Sequence, residues 1–285
     1  MKILVLGANG MAGHTVSLYF IKRGHEVSTF SKSPFPYGKN ITGDAMDRDF
    51  LKSLLTAENF DAVINCIGLL IKDCERYPDR AVYLNSYLPH FAAKILKNRK
   101  TKLIHMSTDC VFSTEKGNYS EKNFPDGKAF YDRTKALGEI NDSKNLTFRN
   151  SIIGPDINVK GVGLFNWFMK QSVKIDGYTK VIWTGVTTLT LAEAMEKAIE
   201  ENLTGIYNLV NNKAVTKFDL LTLFNKYFKK GSLTIVPDKK TVSNRSLINK
   251  RTDFSFTVPP YEEMIIKMKK WVDEHKKIYP HYFTN

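Results

Sequence analysis

The chain of 285 residues is predicted to be an α/β protein, a doubly wound parallel sheet with a smaller, mixed α/β lobe towards the C-terminus. Three observations predict it. Short apolar runs alternate with helix-length segments through residue 154, the pattern of a parallel sheet covered on both faces. A glycine-rich turn, GANGMAG, joins the first apolar run to the first helical segment. After Gly154-Pro155 the alternation gives way to a stretch of glycines and aromatics.

In order, KILVL (2–6) reads as the first strand, followed by GANGMAG and a helix to about Arg23. HEVSTF (25–30) is a second strand, SKSPFPYGKN a loop, and NITGD (40–44) a short third strand. A helix is expected from Asp47 to Ala57, a strand at DAVINC (61–66), and a long helix from about Asp79 to Asn98. KLIHMS (102–107) is a strand, 131–143 a helix, and LTFRN (146–150) a strand. Beyond 155, helices are expected at LFNWFMKQ, 189–202, KFDLLTLFNKYF and near 261–277, with strands at GIYNLV (205–210) and SLTIVP (232–237). The expected organisation is a dinucleotide-binding domain over 1–154, to which 181–204 returns, and a substrate lobe formed by 155–180 and 205–285.

Composition is that of a globular protein, 42% hydrophobic and 25% charged. No apolar run approaches the roughly 20 residues of a membrane span, and MKILVLGANG reads as a buried strand, not a signal peptide. The net charge is +13, and residues 213–285 hold 15 Lys/Arg against 7 Asp/Glu, a surplus of +8. These lysines sit in amphipathic helices without a nucleic-acid motif, so the charge reads as a solvated face whose field attracts an anionic small molecule. Three cysteines without metal spacing and six scattered histidines imply no metal and a reducing, cytoplasmic setting.

The glycines at 7, 10 and 13 follow a strand and open a helix, the context a Rossmann-type dinucleotide fingerprint needs. Gly7 allows the tight turn, Gly10 the approach of a pyrophosphate, and Gly13 close packing of helix on strand; Asn9 and Met11 fill out the loop. NAD binders usually end the second strand with an acid for the ribose 2′-OH. Here it ends Thr29-Phe30-Ser31-Lys32. A hydroxyl and an ammonium suit a 2′-phosphate, so NADP(H) is favoured over NAD(H), with Ser31 and Lys32 as its contacts. Tyr131 and Lys135 stand four apart, one turn of a helix. A free tyrosine has a pKa near 10, and an adjacent ammonium lowers it.

Taken together, GxxGxxG at 7–13, TGD at 42–44, NCIG at 65–68, STDCVF at 107–112 and YDRTKALGE at 131–139 resemble the extended short-chain dehydrogenase/reductases. STD-x-VF and the match of YDRTKALGE narrow the resemblance to the branch of sugar-nucleotide 4-ketoreductases similar to dTDP-4-dehydrorhamnose reductase, with Arg149, Gly154 and NRSLIN (244–249) as later landmarks. The resemblance implies NADPH-dependent reduction of the 4-keto group of a nucleotide-activated 6-deoxysugar in nucleotide-sugar and surface-polysaccharide biosynthesis. It implies Tyr131 as proton donor, Lys135 on the nicotinamide ribose and Thr108 on the substrate carbonyl. It places Asp44 and Ala45 at the adenine, and Cys66, Ile67, Gly68 and Asn85 along the cofactor. The chain departs from the branch at Cys110, where a tyrosine is common, and in the loop NCIGLLIKDCERYPDRA.

Ser107 competes with Thr108 for the carbonyl, and Asp109 is equally a substrate-facing or a loop-capping acid. Substrate contacts are expected from Ser107, Asp109 and Cys110, with Trp167, Trp183 and Arg245 lining the lobe to stack on a base and pair with a diphosphate. Two other readings share these motifs: an epimerase or dehydratase of the same fold, and a non-catalytic, cofactor-binding regulatory subunit. The resemblance also allows a homodimer.

Overall fold

The computed structural model describes residues 1–283. The chain opens with β1 (Lys2–Leu6), α1 (Met11–Lys22), β2 (Glu26–Ser31), β3 (Lys39–Thr42), α2 (Arg48–Ala57) and β4 (Ala62–Asn65). Next come α3 (Ile71–Arg76), α4 (Pro78–Ala81), a π-helical turn (Val82–Tyr87), α5 (Leu88–Leu96), β5 (Lys102–Met106) and a 3-10 turn (Asp109–Val111). Then follow α6 (Phe130–Leu137), β6 (Leu146–Arg149), β7 (Ser151–Ile153), α7 (Leu164–Met169), β8 (Lys174–Trp183), β9 (Gly185–Thr187), α8 (Thr188–Glu200) and β10 (Gly205–Asn208). The chain closes with β11 (Val215–Thr216), α9 (Lys217–Phe228), β12 (Thr234–Asn244), α10 (Tyr261–Glu274) and a 3-10 turn at Pro280–Tyr282.

Seven parallel strands form the main sheet in the order β10-β6-β5-β4-β1-β2-β3. Alternate residues of β1 serve opposite faces. Ile3 and Val5 join the core with α1 and α8, while Leu4 and Leu6 join the core with α2 and α5. The strand order reverses between β1 and β4, so the crevice for a ligand opens at their carboxyl ends. Among the described residues no helix is long and apolar enough to cross a membrane.

The structure differs from expectation in several places. Strand β10, expected in the smaller lobe, pairs in parallel with β6 at the edge of the main sheet. The C-terminal end also returns to α1, where Tyr279 is buried and hydrogen-bonds His14 Nε2 at 2.9 Å. Helix α6 stops at Leu137 because the chain must turn at Gly138, where a Cβ would lie 1.9 Å from the Asn85 carbonyl oxygen. Helix α3 lies inside the unusual loop after β4. Strand β8 was hidden by its central Gly177, whose missing side chain admits Phe218 of α9; a Cβ there would lie 2.7 Å from the ring. Strand β12 runs on past Pro237, which an edge strand tolerates because one side of it makes no ladder bonds. With β11 and β8 it makes the three-stranded sheet of the smaller lobe.

Candidate active site

The glycine loop begins where β1 ends. Gly7 has φ +87°, a left-handed conformation that favours glycine. A Cβ on Gly13 would lie 2.1 Å from the Gly7 carbonyl oxygen, so α1 packs on the loop only because that side chain is missing. A Cβ on Gly10 would meet nothing nearer than 3.4 Å, and Gly10 caps α1 without a side-chain hydrogen bond to its first N–H groups. Those N–H groups and the positive end of α1 suit a phosphate. The cradle fits a dinucleotide.

Gly7, Asn9, Gly10, Ser31, Lys32, Ala45, Cys66, Ile67 and Gly68 together line a cleft of about 430 Å³. Nine of the residues expected at the cofactor thus face one space. Asp44 stands at its rim, with Oδ2 3.1 Å from Lys32 Nζ. The N–H of Met46 holds the Asp44 carboxyl below the usual range, with Lys32 and Arg80 assisting. Ser31 donates to the Ser33 carbonyl at 2.8 Å, which shapes the turn after β2. The Met11 side chain lies against Gly163 of the smaller lobe, away from the cleft lining. Sequence reasoning missed Asp73, Tyr77 and Arg80, which also line the cleft. Only the departure of the loop after β4 from the branch's pattern hinted at them.

Asn85 sits in the π-helical turn, fully buried. Its Oδ1 accepts from Leu69 N–H at 2.8 Å, and its Nδ2 donates to the Leu69 carbonyl and to Thr134 Oγ1, each at 3.2 Å. Asn85 therefore ties the loop after β4 to α6 and does not itself line the cleft.

Helix α6 carries Tyr131 and Lys135 on one face. Lys135 Nζ donates to the Met106 carbonyl at 2.6 Å, and a Cβ built on Gly68 would lie 3.9 Å from it, so the amine stands behind the cleft wall. Burial pulls the amine down to about 8. Burial also pushes the Tyr131 phenol above its ordinary value, with Cys110 and Asp109 adding to the rise and the neighbouring Thr108 hydroxyl opposing it. Burial dominates at this site, so Tyr131 stays a protonated phenol.

The turn after β5 holds the remaining residues. Thr108 Oγ1 accepts from Cys110 N–H and donates to Asp109 Oδ1, both at 3.1 Å, and caps the 3-10 turn. Burial raises the Asp109 carboxyl, against the pull of Thr108, Lys217 and Arg245. Burial pushes the Cys110 thiol up to about 12, so it is no nucleophile. Ser107 donates to Glu139 Oε1 at 2.6 Å, and Glu139 is held by Arg149; the hydroxyl is committed to that buried pair. Arg245 pairs with Asp132 Oδ2 at 3.3 Å and acts electrostatically on Cys110 and Asp109.

A second cleft, about 670 Å³, lies in the smaller lobe, lined by Trp167, Gln171, Tyr178, Lys217, Thr241 and Ser243 among others. Trp167 is on its wall. Trp183 is not: the indole is buried in the core, tilted against the Tyr261 ring, with its N–H donated to Ser151 Oγ at 2.8 Å.

A family model described as the RmlD substrate binding domain matches residues 1–153, more than half of the chain. The probable low-salt glycan biosynthesis reductase Agl14 of Haloferax volcanii is 28% identical over 234 residues, 77% of each chain. The dTDP-4-dehydrorhamnose reductase of Mycolicibacterium smegmatis is 31% identical over 141 residues, 48% of this chain and 40% of that one. The solved dTDP-4-dehydrorhamnose reductase of Bacillus anthracis in complex with NADP superposes with a TM-score of 0.79 at 18% identity, covering 94% of this chain and 98% of that one. The chain belongs to the RmlD substrate-binding-domain family of the extended short-chain dehydrogenase/reductases.

Proposed function

We propose that the chain is an NADPH-dependent reductase of the 4-keto group of a nucleotide-activated 6-deoxysugar. One observation carries the reading: Tyr131, with Thr108 and Asp109 beside it, stands one helical turn from Lys135, whose amine backs onto Gly68 of the dinucleotide cleft. The candidate proton donor is thus next to the part of the cleft that Gly68 lines. The names of the relatives support the same class of chemistry.

NADPH, when bound, supplies the hydride for carbonyl reduction. The glycine loop and the N-terminus of α1 would hold its pyrophosphate, and Ser31 and Lys32 its 2′-phosphate. The raised pKa of Tyr131 keeps its proton in place at neutral pH, so the phenol donates it to the ketone oxygen as negative charge develops there. Thr108 Oγ1 lies beside that phenol, and turning its proton from Asp109 to the ketone oxygen would give that oxygen a second hydrogen bond. Lys135 holds the ribose side and its positive charge favours the tyrosinate left after transfer.

The test is NADPH consumption, followed by its absorbance, with dTDP-, UDP- and GDP-linked 4-keto-6-deoxysugars. Oxidation with one of them, yielding the 4-hydroxy sugar nucleotide, supports the reading. Silence across the panel by a protein that binds NADPH overturns it.

A further inference from the structure

Five lysines have their amines pulled down by burial: Lys102, Lys135, Lys144, Lys217 and Lys229. Four of them are compensated. Lys102 donates to Asn202 Oδ1 at 2.7 Å and Lys135 to the Met106 carbonyl at 2.6 Å. Lys144 reaches the Arg99 carbonyl at 2.6 Å, and Lys229 the Gln171 carbonyl at 2.6 Å. Among the described residues Lys217 has no such acceptor and no carboxylate at ion-pair distance. Its amine lies 5.3 Å from the centre of the Trp183 ring, and the charges acting on it are those of Asp109 and Cys110. A half-buried ammonium that lines a cleft and has a ring face but no acceptor is suited to an anion entering that cleft.

The placement of Lys217 is built, not incidental. It is the first residue of α9, fixed by Thr216 and Asp219, whose side chains cap each other's N–H at 3.1 and 3.2 Å. Trp183 beneath it is locked by Ser151 and Tyr261. The amine lines the second cleft on one side and faces the Asp109–Cys110 turn on the other.

We propose that Lys217 binds the diphosphate of the nucleotide sugar, and so joins the second cleft to the proton-transfer site. The inference rests on the reductase reading, because a 4-keto-6-deoxysugar is uncharged and its diphosphate is the only anion the substrate brings. The diphosphate is attached at C1, across the sugar ring from C4. A cation that shares the Asp109–Cys110 turn with Tyr131 therefore sets how deep the ketone sits. Trp167 and Tyr178 on the same wall offer faces for the base.

The test compares wild type with Lys217→Met and Lys217→Arg by calorimetric binding of free dTDP, UDP, thymidine and uridine, alongside NADPH binding and steady-state kinetics. Wild type binds one nucleoside diphosphate better than its nucleoside. Lys217→Met weakens that diphosphate, and raises the KM of the sugar nucleotide, roughly tenfold to a hundredfold, as loss of a charge-assisted hydrogen bond implies. NADPH affinity stays the same, and Lys217→Arg restores most of the loss. Lys217→Met binding the diphosphate as wild type does, in a protein that reduces the sugar nucleotide, overturns the role of Lys217 alone. Diphosphate binding that depends on Lys217 in a protein that reduces no ketosugar overturns the reductase reading and upholds the site.

Discussion

Lys135 Nζ is fixed to the Met106 carbonyl at 2.6 Å, one helical turn from the partly buried Tyr131. The strand β5 thereby sets where the charge of α6 stands. With its amine pulled down to about 8 by burial, Lys135 is cationic below that pH and neutral above it. The kcat/KM for NADPH is expected to fall as pH rises through about 8, since kcat/KM reports groups of the free protein. A profile flat to well beyond that value would separate Lys135 from the reaction.

Tyr131→Phe removes only the hydroxyl. Turnover is expected to drop by roughly 10²- to 10⁴-fold, the usual contribution of a positioned proton donor, while NADPH affinity measured by fluorescence titration is retained. Turnover close to wild type would show that another group supplies the proton.

At the far end of the cleft, Lys32 and Asp44 pair at 3.1 Å with both side chains about half exposed. Such a pair is worth about 0–1 kcal/mol, so a 2′-phosphate can draw the lysine from it. Lys32→Asp is expected to lower the NADPH-to-NADH preference by roughly tenfold or more. The ratio of kcat/KM for the two cofactors reads this directly, and an unchanged ratio would leave Arg80, which also acts on Asp44, as the group to examine.

The residues that locate the site were legible because their chemistry is local. A glycine turn at 7–13 and a Tyr131–Lys135 spacing need only neighbours in sequence to make sense. Ser107 and Lys217 were not legible, because their roles depend on distant partners. Nothing around Ser107 announces that its hydroxyl is spent on Glu139. Lys217 reads as one lysine of an amphipathic helix until β8 places Trp183 beneath it. The same holds for the fold: the parallel strands announce themselves as apolar runs, whereas β8, half polar and broken by Gly177, needs α9 to explain it.

Two glycine variants should separate packing from binding in the loop. Gly13→Ala forces a methyl to 2.1 Å from the Gly7 carbonyl oxygen, so α1 must shift and stability should fall by roughly 1–3 kcal/mol, the range of overpacked cores. Gly10→Ala meets nothing nearer than 3.4 Å and should melt like wild type, yet its methyl enters the space over the N-terminus of α1 and should weaken NADPH binding. Thermal melts with titrations of both variants check this; equal melting of the two would contradict the packing role given to Gly13.

Arg149 and Glu139 form a bidentate pair at 2.7 and 2.5 Å, with side chains only 2% and 5% exposed. Ser107 donates into the same carboxylate, and Arg149 also lies 5.0 Å from the centre of the Phe112 ring. The pair braces the turn that carries Thr108 from both sides. Arg149→Met leaves a buried carboxylate without its partner, which should cost about 3–5 kcal/mol. Pairing it with Glu139→Gln removes the stranded charge and should recover part of that loss, because contacting residues do not contribute additively. Denaturant unfolding of the two single variants and the double variant gives the coupling. A loss below about 1 kcal/mol in Arg149→Met would mean that water reaches Glu139, and that the turn is held by Thr108 and its own backbone.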